Sequence, residues 1–209
     1  MSRDRTPVHR AAFAAAFVRA PRETASLTPS SAALAAVVAE SALGTGGDTT
    51  AGTCADPVVV ELGAGSGAFT AALADRLGGR GRQLAVELNP ALAHRVADRV
   101  PGVDVVPADV VELPTLLALR GVAHVDVVVS GLGWSATRPG RPDALVPRLA
   151  RVLAPDGVLV QLAYTFTRRT SAARALERDI RTSFRRTDRS DVVWRNVPPA
   201  VVLRGVGPR

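Results

Sequence analysis

The strongest constraint on this chain is the stretch Val58-Val59-Val60-Glu61-Leu62-Gly63-Ala64-Gly65-Ser66-Gly67-Ala68-Phe69-Thr70, where a β-forming run passes into a helix through three closely spaced glycines. Glycine lets the backbone turn at positive φ and leaves main-chain atoms open to a bulky ligand lying against them. A strand that turns into a helix in this way implies an α/β fold with a nucleotide-cofactor loop.

Two cofactor classes fit that loop. Gly63-x-Gly65-x-x-Ala68 meets the GxGxxA form of the dinucleotide fingerprint, while the third glycine falls at Gly67 and gives Glu61-x-Gly63-x-Gly65-x-Gly67. A pyrophosphate would be repelled by Glu61. The sulfonium and α-ammonium of S-adenosylmethionine are positive, and a carboxylate holds them more strongly in a shielded pocket than in water. Glu61 therefore favours S-adenosylmethionine over NAD(P). Leu84-Ala85-Val86-Glu87 is a second apolar run ending in a carboxylate, followed by a helix start at Asn89-Pro90, and Glu87 is expected to grip ribose hydroxyls, as an acidic residue does in both cofactor classes. A third run, Val103-Asp104-Val105-Val106, leads to Asp109, which either accepts the adenine amino group or caps a helix. The expected cofactor-binding set is Glu61, Gly63, Ala64, Gly65, Gly67, Glu87, Leu88, Asp109 and Ser130.

From Pro57 onward strands and helices alternate, with strands expected near 58–62, 83–87, 103–106, 125–130 and 157–164 and helices near 67–77, 90–99, 111–120 and 142–153. This pattern predicts a doubly wound parallel sheet. After a helix near 171–182, two runs near 184–195 and 200–206 are joined across Asn196-Val197-Pro198-Pro199, a connection short enough to require an antiparallel hairpin. Upstream, a helix is expected over 9–19 and a second, capped by Thr28-Pro29-Ser30, over 31–43, with Gly44 to Asp56 as a linker. With 209 residues and 47% apolar content the chain is read as one domain, residues 1–43 forming a helical lid and 57–209 the cofactor-binding core.

Arginine supplies all the basic charge, lysine being absent, and the net charge is +7, which suits anionic partners. Cys54 is the only cysteine, so neither an internal disulfide framework nor a paired-cysteine zinc site is available, in keeping with a reducing cytosol. Arg3, Arg5 and Arg10 precede Ala11 to Val18 in the outline of an export signal, but Arg19, Pro21, Arg22 and Glu23 occupy the place of a small-residue cleavage site. No run reaches membrane-spanning length. His9, His94 and His124 have no spacing that suggests a metal site or a triad.

A longer series of motifs goes beyond the fold: Pro21-Arg22-x-Thr24 with Thr28-Pro29-Ser30-Ser31, Val60-Glu61-Leu62-Gly63-x-Gly65-x-Gly67, Val129-Ser130-Gly131-Leu132, Gln161-Leu162-Ala163-Tyr164 and Val193-Trp194-Arg195-Asn196-Val197-Pro198-Pro199-Ala200. Across almost the whole chain this series resembles the bacterial phospholipid N-methyltransferases, a family of class I methyltransferases similar to the ribosomal RNA adenine dimethyltransferases. The resemblance implies S-adenosylmethionine as cofactor, stepwise methylation of phosphatidylethanolamine and peripheral attachment to the membrane. Gly133 and Trp134 follow Ser-Gly-Leu where that family usually has proline, so a small-molecule N- or O-methyltransferase of specialised metabolism is the competing reading, and a non-catalytic cofactor-binding partner protein is a third. The N/D-P-P-aromatic signature of adenine methyltransferases is missing from Ser130-Gly131-Leu132-Gly133-Trp134, which speaks against base methylation.

Methyl transfer from a sulfonium is an in-line displacement, so the protein contributes mainly proximity, alignment and exclusion of water. Tyr164, at a strand end, is the candidate to orient the acceptor nitrogen or relay its proton. Trp134, on the loop after the fourth strand, is the candidate to stack on the amine as it becomes quaternary. Arg22, Arg138, Arg168 and Arg195 are candidates for an acceptor phosphate, since a guanidinium binds one through two parallel hydrogen bonds. Trp194 is expected in the hairpin core. Arg178, Arg181, Arg185, Arg186 and Arg189 form a solvated face, an anionic-membrane contact or a nucleic-acid patch, in that order of preference. Phe13, Phe17 and Val18, flanked by Arg10 and Arg19, suit either a short interfacial helix or a lid over the cofactor.

Overall fold

A computed structural model of the protein describes residues 30–44, 55–133, 137, 139–141 and 144–209. The expected helix over 9–19, Arg22, Cys54, Trp134 and Arg138 lie outside them. The valine-rich runs become the centre of a seven-stranded sheet: β1 (Val58–Leu62), β2 (Arg82–Glu87), β3 (Asp104–Pro107), β4 (Val125–Ser130), β5 (Leu153–Tyr164), β6 (Phe184–Arg189) and β7 (Ala200–Pro208), in the order β3-β2-β1-β4-β5-β7-β6. The first five strands run parallel, and β7 pairs antiparallel with both β5 and β6. This is the parallel sheet with an antiparallel terminal pair expected from the sequence. Val58 N donates to Asp126 Oδ2 at 2.7 Å, tying the start of β1 to β4.

Among the described residues, three α-helices pack on each face of the sheet. Val59, Val127, Val129, Val158 and Val160 point to one face, where they meet Leu34 and Val38 of α1 (Ala32–Leu43) and Phe69 and Leu73 of α2 (Ala68–Leu77). Val96 of α3 (Pro90–Arg99) packs on Ala64 and Ala85 at the same face. The alternate residues, Val60, Leu62, Leu84 and Val128, face α4 (Leu113–Leu119), α5 (Leu145–Val152) and α6 (Ser171–Ser183). Period-two alternation along each strand thus serves two cores at once, and each fully buried Val or Leu contributes roughly 1.5–3 kcal/mol. Local caps set the helix starts. Ser31 Oγ accepts from Leu34 N, Asn89 Oδ1 from Ala91 N with Pro90 following, and Thr170 Oγ1 from Ala173 N.

Three details depart from the sequence expectation. The strand expected from 157 begins at Leu153, because Leu153 pairs with Val125 before Val127 pairs with Val158; Ala154-Pro155-Asp156-Gly157 bulge out between the two pairs. The run expected over 184–195 leaves the sheet after Arg189, and Val193 alone returns to bridge Ala200. Val193 takes the inward position there, so Trp194 turns outward and is 72% exposed rather than part of the hairpin core.

Asn196 joins the two ends of the described chain. Its buried side chain accepts from Ser31 N at 2.9 Å and donates to Pro198 O at 2.7 Å. The distinctive Trp-Arg-Asn-x-Pro-Pro run is therefore explained in part by architecture, since it fastens the loop between β6 and β7 to the start of α1. Among the described residues no helix is long and apolar enough to cross a membrane.

Candidate active site

The parallel strands end along one edge of the sheet, and the expected cofactor residues of the described chain collect there. Gly63 and Gly67 have φ of +76° and +77°, the left-handed conformation that a side chain makes costly. Gly63 N donates to Val86 O at 2.8 Å and Gly67 N to Ala64 O at 2.9 Å, so the loop is folded by its own backbone. A Cβ on Gly65 would meet only Gly63 O, at 3.9 Å, which leaves open space above the loop for a ligand. Two groups outside the motif brace it. Arg99 Nη1, at the end of α3, donates to Ser66 O at 3.0 Å, and Glu87 Oε2 accepts from Gly65 N at 2.8 Å.

Glu87 also accepts from Asn89 N through Oε1 at 2.9 Å, so its carboxylate is fixed between the loop and the start of α3. A carboxylate has about four acceptor sites, and two of them remain for a ribose diol. Leu88 beside it is 63% exposed, an apolar side chain with no core to join. Asp109 Oδ1 accepts from Val111 N at 3.0 Å, and Glu112 Oε1 accepts from Asp109 N at 3.0 Å, forming a reciprocal cap on the short turn before α4. The capping alternative for Asp109 is thus realised, with its second oxygen left over for an adenine amino group.

Glu61 is fully buried near the end of β1, and neither carboxylate oxygen has a hydrogen-bond partner of ordinary geometry. Burial pushes its pKa up to about 8, against a lowering influence from Thr70, and the nearby Glu87 carboxylate adds a further push upward. Open space over Gly65, a locked acidic clasp at Glu87 and an unpartnered acid at Glu61 together fit a cofactor that brings both ribose hydroxyls and a positive charge.

The residues expected on the acceptor side lie at and beyond the end of β4. Ser130 ends that strand fully buried, its Oγ without a hydrogen-bond partner, and Gly131 N donates to Leu62 O at 2.9 Å. The buried Gln161 on β5 places its Nε2 2.9 Å from Leu132 O and 3.3 Å from Ser130 O. It fixes the loop that leaves β4, a role that its strand position alone does not disclose. Next to this loop a small cavity of about 40 Å³ opens between β5 and α6, with Leu132, Leu162, Leu176 and Leu203 in its wall. Tyr164 and Arg168 line it, with Glu177 also at its rim. Tyr164 stacks on Phe166 with ring centroids 5.8 Å apart, and burial raises the pKa of its phenol. A phenol that keeps its proton this firmly suits hydrogen-bonded orientation of an acceptor better than uptake of a proton.

Arg195 does not join this cavity. It lines a separate open groove of about 850 Å³ between α1 and the loop after β6, with Glu40, Asp188 and Asp191. Of the dense arginine set, Arg185 is engaged by Asp156 at 2.9 Å and by the Pro155 carbonyl, while Arg178, Arg181, Arg186 and Arg189 are exposed. No group of three or more His, Cys, Asp or Glu side chains among the described residues could hold a metal ion.

Comparison with known proteins agrees with this geometry. Residues 59–157 match a family described as a methyltransferase domain. An ornithine lipid N-methyltransferase from Singulisphaera acidiphila is 37% identical over 108 residues, which take in 50% of this chain and 56% of that protein; the match therefore spans little more than half of that relative's length. Among solved structures, a precorrin-6y C5,15-methyltransferase from Geobacter metallireducens superposes with a TM-score of 0.57 at 20% identity, covering 83% of this chain and 87% of its own. The Burkholderia thailandensis 1,6-didemethyltoxoflavin-N1-methyltransferase, solved with S-adenosylhomocysteine, gives 0.56 at 19% identity, over 100% of this chain and 93% of its own. Residues 59–157 thus match a methyltransferase domain, set on the Rossmann-like fold of solved methyltransferases, and the methyl donor this match implies is S-adenosylmethionine.

Proposed function

We propose that the protein methylates the amine of a membrane lipid, with phosphatidylethanolamine or an ornithine-headed lipid as acceptor. The observation that carries this reading is the 37% identity to an ornithine lipid N-methyltransferase. Tyr164 and Arg168, which lie together beside a leucine wall, are the residues assigned to that acceptor.

Glu87 holds the ribose, with Leu88 under the adenine and Asp109 at its amino group, and Glu61 faces the positive charge. Ala64 and Ser130 border the donor, whose role once bound is to present an electrophilic methyl group. Tyr164 orients the acceptor nitrogen towards that methyl. As the N–C bond forms the C–S bond breaks, and the proton lost from the amine passes to water. Arg168 takes the acceptor's phosphate or carboxylate through paired N–H donors. Trp134, Arg22 and Arg138 remain assigned to acceptor binding on their sequence positions, and Arg195, in its separate groove, is assigned to the lipid surface instead. The protein works at the inner face of the membrane, held there reversibly by arginines and the apolar residues of segment 9–19.

The test is incubation of purified protein with labelled S-adenosylmethionine and liposomes containing phosphatidylethanolamine, ornithine lipid or neither, with products read by mass. Methylated lipid in either amine-bearing arm identifies the acceptor. Cofactor binding with no lipid product in any arm overturns the lipid reading and leaves the small-molecule acceptor, which Gly133-Trp134 in place of the proline-bearing loop favours.

A further inference from the structure

Three places carry more than the chemistry described so far: the acidic groove around Arg195, the exposed arginines of α6 and β6, and the buried carboxyl of Glu61. The last is carried furthest by geometry. Glu61 is fully enclosed, neither of its oxygens makes a hydrogen bond of ordinary geometry, and Thr70 is the one donor whose influence reaches it among the described residues, whereas Glu87, on the neighbouring strand, has each oxygen bonded to a backbone N–H. Among the described residues, the groups that bear on it are Thr70 of α2 and the Glu87 carboxylate of β2, and neither is a cation. An ionised carboxylate in that position would be an uncompensated buried charge beside a like charge, which burial strongly disfavours.

We infer that Glu61 is a neutral acid in the cofactor-free protein and gives up its proton when the cationic cofactor binds, so that each binding event expels a proton into solvent. Before binding, the pocket holds a COOH group. Afterwards it holds a carboxylate paired with the incoming ammonium or sulfonium charge, and the proton has gone to buffer. The pair forms without any earlier stage in which a bare charge sits in the core. The inference rests on Glu61 facing the cofactor, as proposed above, and it makes cofactor affinity a function of pH. The upward shift of the carboxyl to about 8 places the change across neutrality. Binding is weak where the acid holds its proton, strengthens about tenfold per unit of rising pH below 8, and levels off above it.

Titration calorimetry with S-adenosylmethionine at pH 7, in buffers of different ionisation heat, counts the protons directly. The wild-type protein should release about 0.9 proton per cofactor, as follows from a group with a pKa near 8. Glu61→Gln, a neutral isostere, should release about that much less, and the difference cancels any proton taken up by the cofactor's own amine. Equal release by the two proteins, or wild-type binding with no release, overturns the inference while leaving the cofactor site intact. Failure of the wild type to bind at all overturns the cofactor assignment of Glu61 as well. Should Glu61→Gln not bind, difference infrared spectroscopy of the wild type decides: a protonated-carboxyl band lost on cofactor addition supports the inference, and its absence from the cofactor-free protein refutes it.

Discussion

The two halves of the ligand-binding edge are built on different principles. Around β1, β2 and β3 the contacts are made by backbone and by short acidic side chains held in place: Glu87 bridges Gly65 N and Asn89 N, Asp109 caps a turn, and Arg99 braces Ser66. Beyond β4 the wall is leucine, and Tyr164, Arg168 and Glu177 line a small cavity. Backbone geometry tolerates many sequences around it, whereas a wall of leucine side chains with charged neighbours depends on the identity of each residue. The region matched to the methyltransferase family, residues 59–157, takes in the whole of the first half and stops before Tyr164 and α6.

The comparison can be broken most decisively at the loop. Gly65→Trp fills the open space above the glycines and should lower cofactor affinity by at least ~1000-fold, about 4 kcal/mol, by equilibrium dialysis. Retained affinity would mean that the ligand lies elsewhere. Next in size is the pH dependence of the cofactor-free protein. Glu61 binds its proton more tightly folded than unfolded, so the folded state holds the extra proton between pH 4.5 and about 8, and stability should fall as pH rises through that window. A tenfold tighter hold on one proton is worth about 1.4 kcal/mol, and relaxation around the buried charge removes part of the total, so a loss of ~3 kcal/mol is expected by urea unfolding. Glu61→Gln should flatten the slope, and an unchanged slope would place the titrating group elsewhere.

On the acceptor side, Arg168→Ala should raise the acceptor KM about tenfold, ~1.4 kcal/mol, with cofactor affinity unchanged. Equal losses in both would dissolve the distinction between the halves. The smallest effect is expected at Trp194→Ala, within about 0.5 kcal/mol of wild-type stability by thermal unfolding, because the indole is exposed.

The cofactor half is legible in the sequence because its signals are local. Three glycines, a carboxylate at or next to the end of each of two apolar strands and an Asn-Pro helix start lie within 33 residues, from Val58 to Pro90, and each forms the element expected of it. The acceptor half depends on contacts that sequence does not display. Gln161 reaches Leu132 O, 29 residues away, and looks from its position like one more buried strand residue. Arg168 and Arg195 read alike as free arginines, yet the chain sends them to different grooves. Alternation along a regular strand assigns Trp194 inward, whereas a lone bridge at Val193 resets the phase and turns the indole out. The sequence pattern ends a helix near 153 and starts a strand near 157, whereas Ala154 to Gly157 form a bulge within one strand, a difference fixed only by the pairing of Leu153 with Val125.

The place of β7 in the sheet bears on how the chain is made. This segment, Ala200–Pro208, follows β6 in the chain, yet it lies between β5 and β6 in the sheet. Before β7 is in place, β6 has no neighbour and β5 presents a bare edge. The growing chain therefore passes through an interval with an unsatisfied strand edge that neighbouring nascent chains can join. A chain truncated after Pro199 should be cut by protease within residues 184–195, and the untruncated chain should resist at the same sites.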